Sequence, residues 1–215
     1  MENGRNKKSH FLVLGGLLLI AAALCLTGYN IADGWRAGWA SSRVLAQMET
    51  GSAERESLPE TAGQESDADD PEEKSWMAVI PVDGNDYIGV LEIPDLKLQL
   101  PVMSQWSYPK LRIAPCRYQG SAADGNLIIA GHNYERHFGN LKNLQAGEAV
   151  TFTDVEGNCY TYQVQQVETL EPTDIQEMEA GEWDLTLFTC TVGGRYRVTV
   201  RCSAEGTGTQ VKEAE

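Results

Sequence analysis

Three residues in the second half of the chain have side chains suited to covalent chemistry. Cys190 closes the apolar run Leu185-Thr186-Leu187-Phe188-Thr189-Cys190, and His132 closes Asn126-Leu127-Ile128-Ile129-Ala130-Gly131-His132. Arg197 opens the alternating run Arg197-Val198-Thr199-Val200-Arg201, just after a short Thr191–Tyr196 connection. A thiol becomes a good nucleophile when a base or cation beside it favours the thiolate. An imidazole exchanges protons near neutral pH. A guanidinium keeps its charge and can stabilise a developing oxyanion. Brought together at strand ends, the three could carry out acyl transfer. Spacing alone leaves the plainer reading open. On that reading Cys190 is a small buried apolar residue, His132 caps a turn, and Arg197 lies on a solvated edge. Arg195 and Arg201 share the strand parity of Arg197 and could face the same side. His137 is the other histidine of this region and the fallback acid or base, whereas His10 looks incidental.

The elements that must hold these groups are short strands. Tyr87–Ile93, Leu96–Val102, Asn126–Gly131, Ala149–Thr153, Tyr160–Val167, Leu185–Thr189 and Tyr196–Cys202 are rich in β-branched and aromatic residues, the composition of strands. Pro94-Asp95, Asp124-Gly125, Gly157-Asn158 and Gly193-Gly194 punctuate them as turns. Short helical stretches fit Tyr108–Ile113 and Phe138–Leu144. Seven or eight strands with turns between them give a mostly β fold, a compact barrel or a sandwich.

The chain has 215 residues, 31 acidic and 17 basic, for a formal net charge of −14. Such a balance repels phosphates and argues against a nucleic-acid partner. Hydrophobic content of 42% suffices for a core. The charge is unevenly spread. Residues 1–48 carry five bases and two acids, residues 49–73 ten acids and one base, and residues 74–215 nineteen acids and eleven bases. Phe11–Leu26 is almost wholly apolar, Thr27–Ile31 continues it weakly, and Arg5, Lys7 and Lys8 precede it. This pattern predicts an uncleaved transmembrane anchor over 11–31 with a cytoplasmic basic tail at 1–10 and the remainder outside; a cleaved signal peptide is the competing reading. Residues 32–48, with Trp35, Trp39 and Leu45, fit a juxtamembrane amphipathic helix. Residues 49–75 read as an acidic, disordered stalk, 76–205 as the folded catalytic domain, and 206–215 as a flexible tail.

Four blocks of the folded region resemble the sortase family. Thr186-Leu187-Phe188-Thr189-Cys190, followed by Arg197-Val198-Thr199-Val200-Arg201, is similar to the family's TLxTC signature and its downstream arginine strand. Asn126–Asn133 resembles the strand that delivers the family's histidine, Tyr87–Val102 its opening strands, and Leu170–Asp174 the segment before the cysteine strand. The resemblance implies an eight-stranded β-barrel with short helices. It implies Cys190 as nucleophile, His132 as proton donor and acceptor, Arg197 as the contact to the substrate carbonyl and oxyanion, and Thr189 as a residue shaping the oxyanion site. The implied activity is that of a cysteine transpeptidase. It would cut an LPxTG-type sorting motif after its threonine through a thioester and pass the acyl group to an amine. The implied partners are surface proteins bearing a C-terminal sorting motif, and an amine of a peptidoglycan precursor or of a pilin lysine. No cofactor and no metal is expected.

Some features depart from the family pattern. The connection from Cys190 to Arg197 is short, Asp70-Pro71 is followed by Glu72 rather than by an aromatic lid residue, and the region of Leu98–Leu100 lacks an acid. Glu171, Asp174, Glu177 and Glu179 form an acidic run that reads as a solvated loop. Cys116, Cys159 and Cys202 accompany Cys190, and an oxidising exterior permits pairing among them. Leu58-Pro59-Glu60-Thr61-Ala62-Gly63 resembles a sorting motif inside the stalk. It is a candidate internal inhibitor or self-cleavage site after Thr61, or a coincidence of composition. Two other function classes stay open: a non-catalytic surface barrel, and a cysteine hydrolase that cuts without transfer.

Overall fold

Alternating apolar and polar residues, broken by glycine and proline turns, build nine strands from residue 80 onward. The computed structural model describes residues 13–29, 32, 42–47, 77–179 and 183–205. The strands are β1 (Ile80–Val82), β2 (Asn85–Ile93), β3 (Leu98–Met103), β4 (Cys116–Gln119), β5 (Leu127–Gly131), β6 (Ala149–Asp154), β7 (Cys159–Leu170), β8 (Leu185–Cys190) and β9 (Arg197–Ala204). Two short helices, α1 (Tyr108–Leu111) and α2 (Ile175–Glu179), and 3-10 turns at Pro94–Leu96 and Leu141–Asn143 accompany the strands. Ser107 caps α1, accepting from the Lys110 amide at 3.3 Å.

The strand order is β1-β2-β3-β4-β5-β8-β9-β7-β6, and β6 pairs back onto β2. Strands β2 to β9 therefore close an eight-stranded barrel, as the family resemblance implied, and β1 is an added hairpin strand on β2. Closure leaves no open edges along the barrel wall. The inward residues form one core that includes Ile88, Leu91, Leu127, Ile129, Leu185, Leu187, Val198 and Val200. Two strands were not expected from the sequence. β1 has three residues, and β4 is interrupted by a register shift between Arg117 and Gln119. Neither offers a long enough alternation to read. The helix expected over Phe138–Leu144 is reduced to the 3-10 turn at Leu141–Asn143.

The membrane span expected at 11–31 falls partly on described residues. Residues 13–29 are helical, within a separate unit of residues 1–36. Among the described residues no helix is long and apolar enough to cross a membrane. Within the helix at 13–29 the Thr27 hydroxyl donates to the Ala23 carbonyl at 2.9 Å. Residues 42–47, part of the expected interfacial helix, are helical and bury Val44 in a second cluster with Val82, Tyr87, Met103, Ala114 and Cys116. That stretch packs on the barrel. The basic tail at 1–10, the stalk at 49–75 with Leu58, Pro59, Thr61 and Ala62, and the tail at 206–215 lie outside the described residues.

Candidate active site

Strand register determines which candidate residues meet. β5 and β8 are parallel neighbours, aligned from Leu127 opposite Leu185 to Gly131 opposite Thr189. His132 and Cys190 each follow the last of these pairs, so they occupy equivalent positions on strands about 4.8 Å apart. β8 and β9 are antiparallel, with Cys190 directly opposite Arg197. Opposed residues of an antiparallel pair share a face. The order across the sheet is thus His132, Cys190, Arg197. Parity identifies the face. Leu185, Leu187, Val198 and Val200 point into the core, so Thr186, Phe188, Cys190, Arg197, Thr199 and Arg201 belong to the outer side.

Thr189 falls on the other side. It is opposite Val198, is buried, and its hydroxyl has no hydrogen-bond partner among the described residues. Its side chain therefore does not join the three others.

The three arginines near Cys190 separate cleanly. Arg195 is exposed in the connection. Arg201 is 3% exposed and ties β9 to its neighbours. It pairs with Glu168 at 2.7 Å and donates to the Met178 carbonyl at 2.8 Å, to the Thr186 hydroxyl at 3.1 Å, and to the Glu177 carbonyl. It thereby anchors α2 over the outer face. Arg197 is half-buried, and its Nη1 donates to the carbonyls of Gly194 and Tyr196 at 3.2 and 3.3 Å. The β8–β9 turn that holds it is closed by the Thr191 amide donating to the Tyr196 carbonyl at 2.9 Å. Arg197 is the arginine that stands opposite the thiol.

His132 enters a tight loop. Its carbonyl accepts from the Phe138 amide at 3.1 Å, and Phe138 and His137 are fully buried. Burial removes His137 as the fallback acid or base, because it has no route to a bound peptide. Tyr134 stacks on the His132 ring, with centroids 3.9 Å apart and planes 9° from parallel. Phe188 meets Tyr118 edge-on, ring centroids 5.4 Å apart, and the Tyr118 and Trp106 centroids are 5.8 Å apart. Burial, with the Glu179 carboxylate second, raises the Tyr118 phenol above its ordinary range. Sequence reasoning missed Tyr134 and this aromatic run. The signal for Tyr134 was an aromatic residue two positions after the histidine; Trp106, Tyr118 and Phe188 are brought together only by β4, which the sequence did not reveal.

All five cysteines are free thiols. Cys116 and Cys202 are buried, and burial pushes each up to about 12, which makes them unreactive at neutral pH. Cys159 is exposed and Cys190 is half-buried. Among the described residues no group of three His, Cys, Asp or Glu could hold a metal ion.

Residues 91–205 match the family model of the sortase domain. The chain is 25% identical over 191 residues to Sortase A of Bacillus anthracis, covering 86% of this chain and 89% of that protein. Among solved structures, sortase C1 from Streptococcus agalactiae aligns with a TM-score of 0.52 at 27% identity, over 59% of this chain and 72% of the other. Sortase A from Corynebacterium diphtheriae aligns with a TM-score of 0.53 at 21% identity, a likeness of fold. The alignment covers 59% of this chain and 64% of that one, under two thirds of its length.

Proposed function

The chain belongs to the sortase family, and from that premise we propose that it is a cysteine transpeptidase acting on surface proteins that carry an LPxTG-type sorting motif. Cys190 is the nucleophile, His132 the proton carrier and Arg197 the oxyanion contact. The Cys190 thiolate attacks the carbonyl carbon of the motif threonine. Charge develops on the carbonyl oxygen, where a fixed guanidinium counts most. As the C–N bond breaks, His132 gives its proton to the leaving amine, and a thioester remains. An incoming amine then attacks the thioester and passes a proton to His132, and the thiolate leaves. Transfer prevails over hydrolysis because amines attack thioesters readily. Phe188, Tyr118 and Trp106 offer apolar surface for the leucine and proline of the motif. The acceptor amine comes from a peptidoglycan precursor or a pilin lysine, and the enzyme works at the cell surface.

The observation that supports this reading most is the register that sets Cys190 opposite Arg197 and level with His132 on the neighbouring strand. The test is a screen of sorting-motif peptides against the wild type and Cys190→Ala, following the acyl-enzyme by mass. Adding an oligoglycine or a lysine amine should yield a new peptide bond. No adduct with any motif, or an adduct persisting in Cys190→Ala, overturns the assignment; cleavage without transfer reduces the enzyme to a hydrolase. The same reading makes Leu58-Pro59-Glu60-Thr61-Ala62-Gly63 a substrate within the chain. A Cys190-dependent fragment beginning at Ala62 is its signature, and the absence of that fragment removes the idea.

A further inference from the structure

An imidazole that must give a proton to one amine and take a proton from another has to hold one orientation through both half-reactions. Histidine does not do so unaided, because its outer side-chain torsion is broad and roughly two-fold. In this protein one face of the His132 ring is covered. Tyr134 lies flat against it, centroids 3.9 Å apart and planes 9° from parallel. We infer that Tyr134 is the positioning residue for His132, restraining the imidazole by stacking so that its working edge stays turned toward Cys190. The inference rests on the role proposed above for His132.

The backbone around the stack is rigid enough to make it a restraint rather than a chance contact. The Tyr134 carbonyl accepts from the His137 amide at 3.0 Å and from the Gly139 amide at 2.8 Å, while the His132 carbonyl accepts from Phe138. Both ring-bearing residues are therefore pinned by the same turn. The turn is sterically exact at its two ends. A Cβ on Gly131 would lie 2.3 Å from the Phe138 ring, and a Cβ on Gly139 would lie 2.7 Å from the Asn133 carbonyl and 2.8 Å from that of Tyr134. Only glycine permits the chain to fold back this closely. Phe138 and His137 are fully buried, and the Tyr134 and His137 ring centroids are 5.6 Å apart. The loop thus has a fixed base, and the stack transfers that fixity to the imidazole.

Stacking requires a flat π-face and no hydroxyl, so Tyr134→Phe should behave as the wild type and Tyr134→Ala should not. Kinetics with a sorting-motif peptide should show kcat lowered roughly 10- to 100-fold in Tyr134→Ala, with KM within about twofold, the pattern of lost orientation. Tyr134→Leu, which keeps apolar bulk but no ring, should be as impaired as the alanine variant; a leucine variant with wild-type kcat would trace the alanine defect to lost bulk and overturn the inference. The second readout needs no turnover. The ring protons of His132, observed by NMR, should be shifted upfield by the tyrosine ring current in the wild type and in Tyr134→Phe, and should return to ordinary positions in Tyr134→Ala and Tyr134→Leu. Wild-type kcat in the alanine variant overturns it too, as does a phenylalanine variant as impaired as alanine, or His132 proton positions that ignore the substitution. Failure of the reading beneath it looks different: His132→Ala would keep its activity.

Discussion

Cys190 and Arg197 stand directly opposite one another across β8 and β9. The connection between them spans only residues 191–196. The guanidinium is therefore delivered by the same hairpin that presents the thiol, and no distant element has to fold correctly to bring the two together. Its present partners are the carbonyls of Gly194 and Tyr196 within that hairpin. Neither is a charge, so a developing oxyanion can compete for the guanidinium.

Removing Arg197 should therefore damage turnover and spare the fold. Arg197→Ala is expected to lower kcat/KM by about 10²–10³-fold, the usual loss of one oxyanion donor. Arg197→Lys should recover only part, because a point charge replaces a planar fork. Steady-state kinetics beside thermal melts decide the matter. A large fall in Tm with unchanged kcat/KM would show that Arg197 is structural.

Arg201 is expected to behave in the opposite way. Its guanidinium satisfies Glu168 and the carbonyls of Glu177 and Met178 in a buried setting. Arg201→Ala strips these and the bond to the Thr186 hydroxyl at once; losing one partner of a buried pair costs about 3–5 kcal/mol, and the 32% exposure of Glu168 puts this pair at the lower end. In a domain of this size that is a drop of roughly 10 °C in Tm. Calorimetry on the variant provides the measurement, and a shift under about 2 °C would contradict the anchoring role.

The contrast between these arginines shows how far the sequence could be read. The strand-end positions of Cys190, His132 and Arg197 were legible because each sits at the end of a strongly apolar or alternating run, and such runs define strands without help from the rest of the fold. Arg197 and Arg201 have the same parity, and parity was all the sequence offered. What distinguishes them is α2, a five-residue helix that covers Arg201 and leaves Arg197 open. Thr189, adjacent to Cys190 along the chain, carries its side chain on the opposite face of the strand. β4 was invisible because its bulge breaks the alternation. The apolar run near the N-terminus was read as a membrane span on its hydropathy; among the described residues no helix is long and apolar enough for one.

Gly131 should prove intolerant of any side chain. Its neighbour Phe138 is fully buried and cannot swing away from a Cβ placed 2.3 Å from its ring. Gly131→Ala should cost about 1–3 kcal/mol by overpacking, and it should lower kcat because the displaced strand end carries His132. Trimming the obstacle in Gly131→Ala/Phe138→Leu should return part of the stability. If the double variant is less stable than the sum of the two single changes, the clash is not the cause.

Stability should fall in alkaline solution for a reason unconnected with Cys190. Burial pushes the thiols of Cys116 and Cys202 from 9.0 up to about 12 in the folded protein. Between these values the unfolded chain has released protons that the folded chain still holds. Folding then opposes ionisation, so stability is fully present below about pH 9 and declines as pH rises toward 12. Each thiol contributes a slope of about 1.4 kcal/mol per pH unit in that window. Tyr87 adds to it above pH 10, because burial raises its phenol from 10.0 to about 12. Urea unfolding at pH 8, 9.5 and 10.5 should show the decline, and Cys202→Ala, though less stable at pH 8 for want of core contacts, should lose less between pH 8 and 10.5. Parallel losses in the two proteins would mean that Cys202 ionises as freely in the barrel as in the unfolded chain.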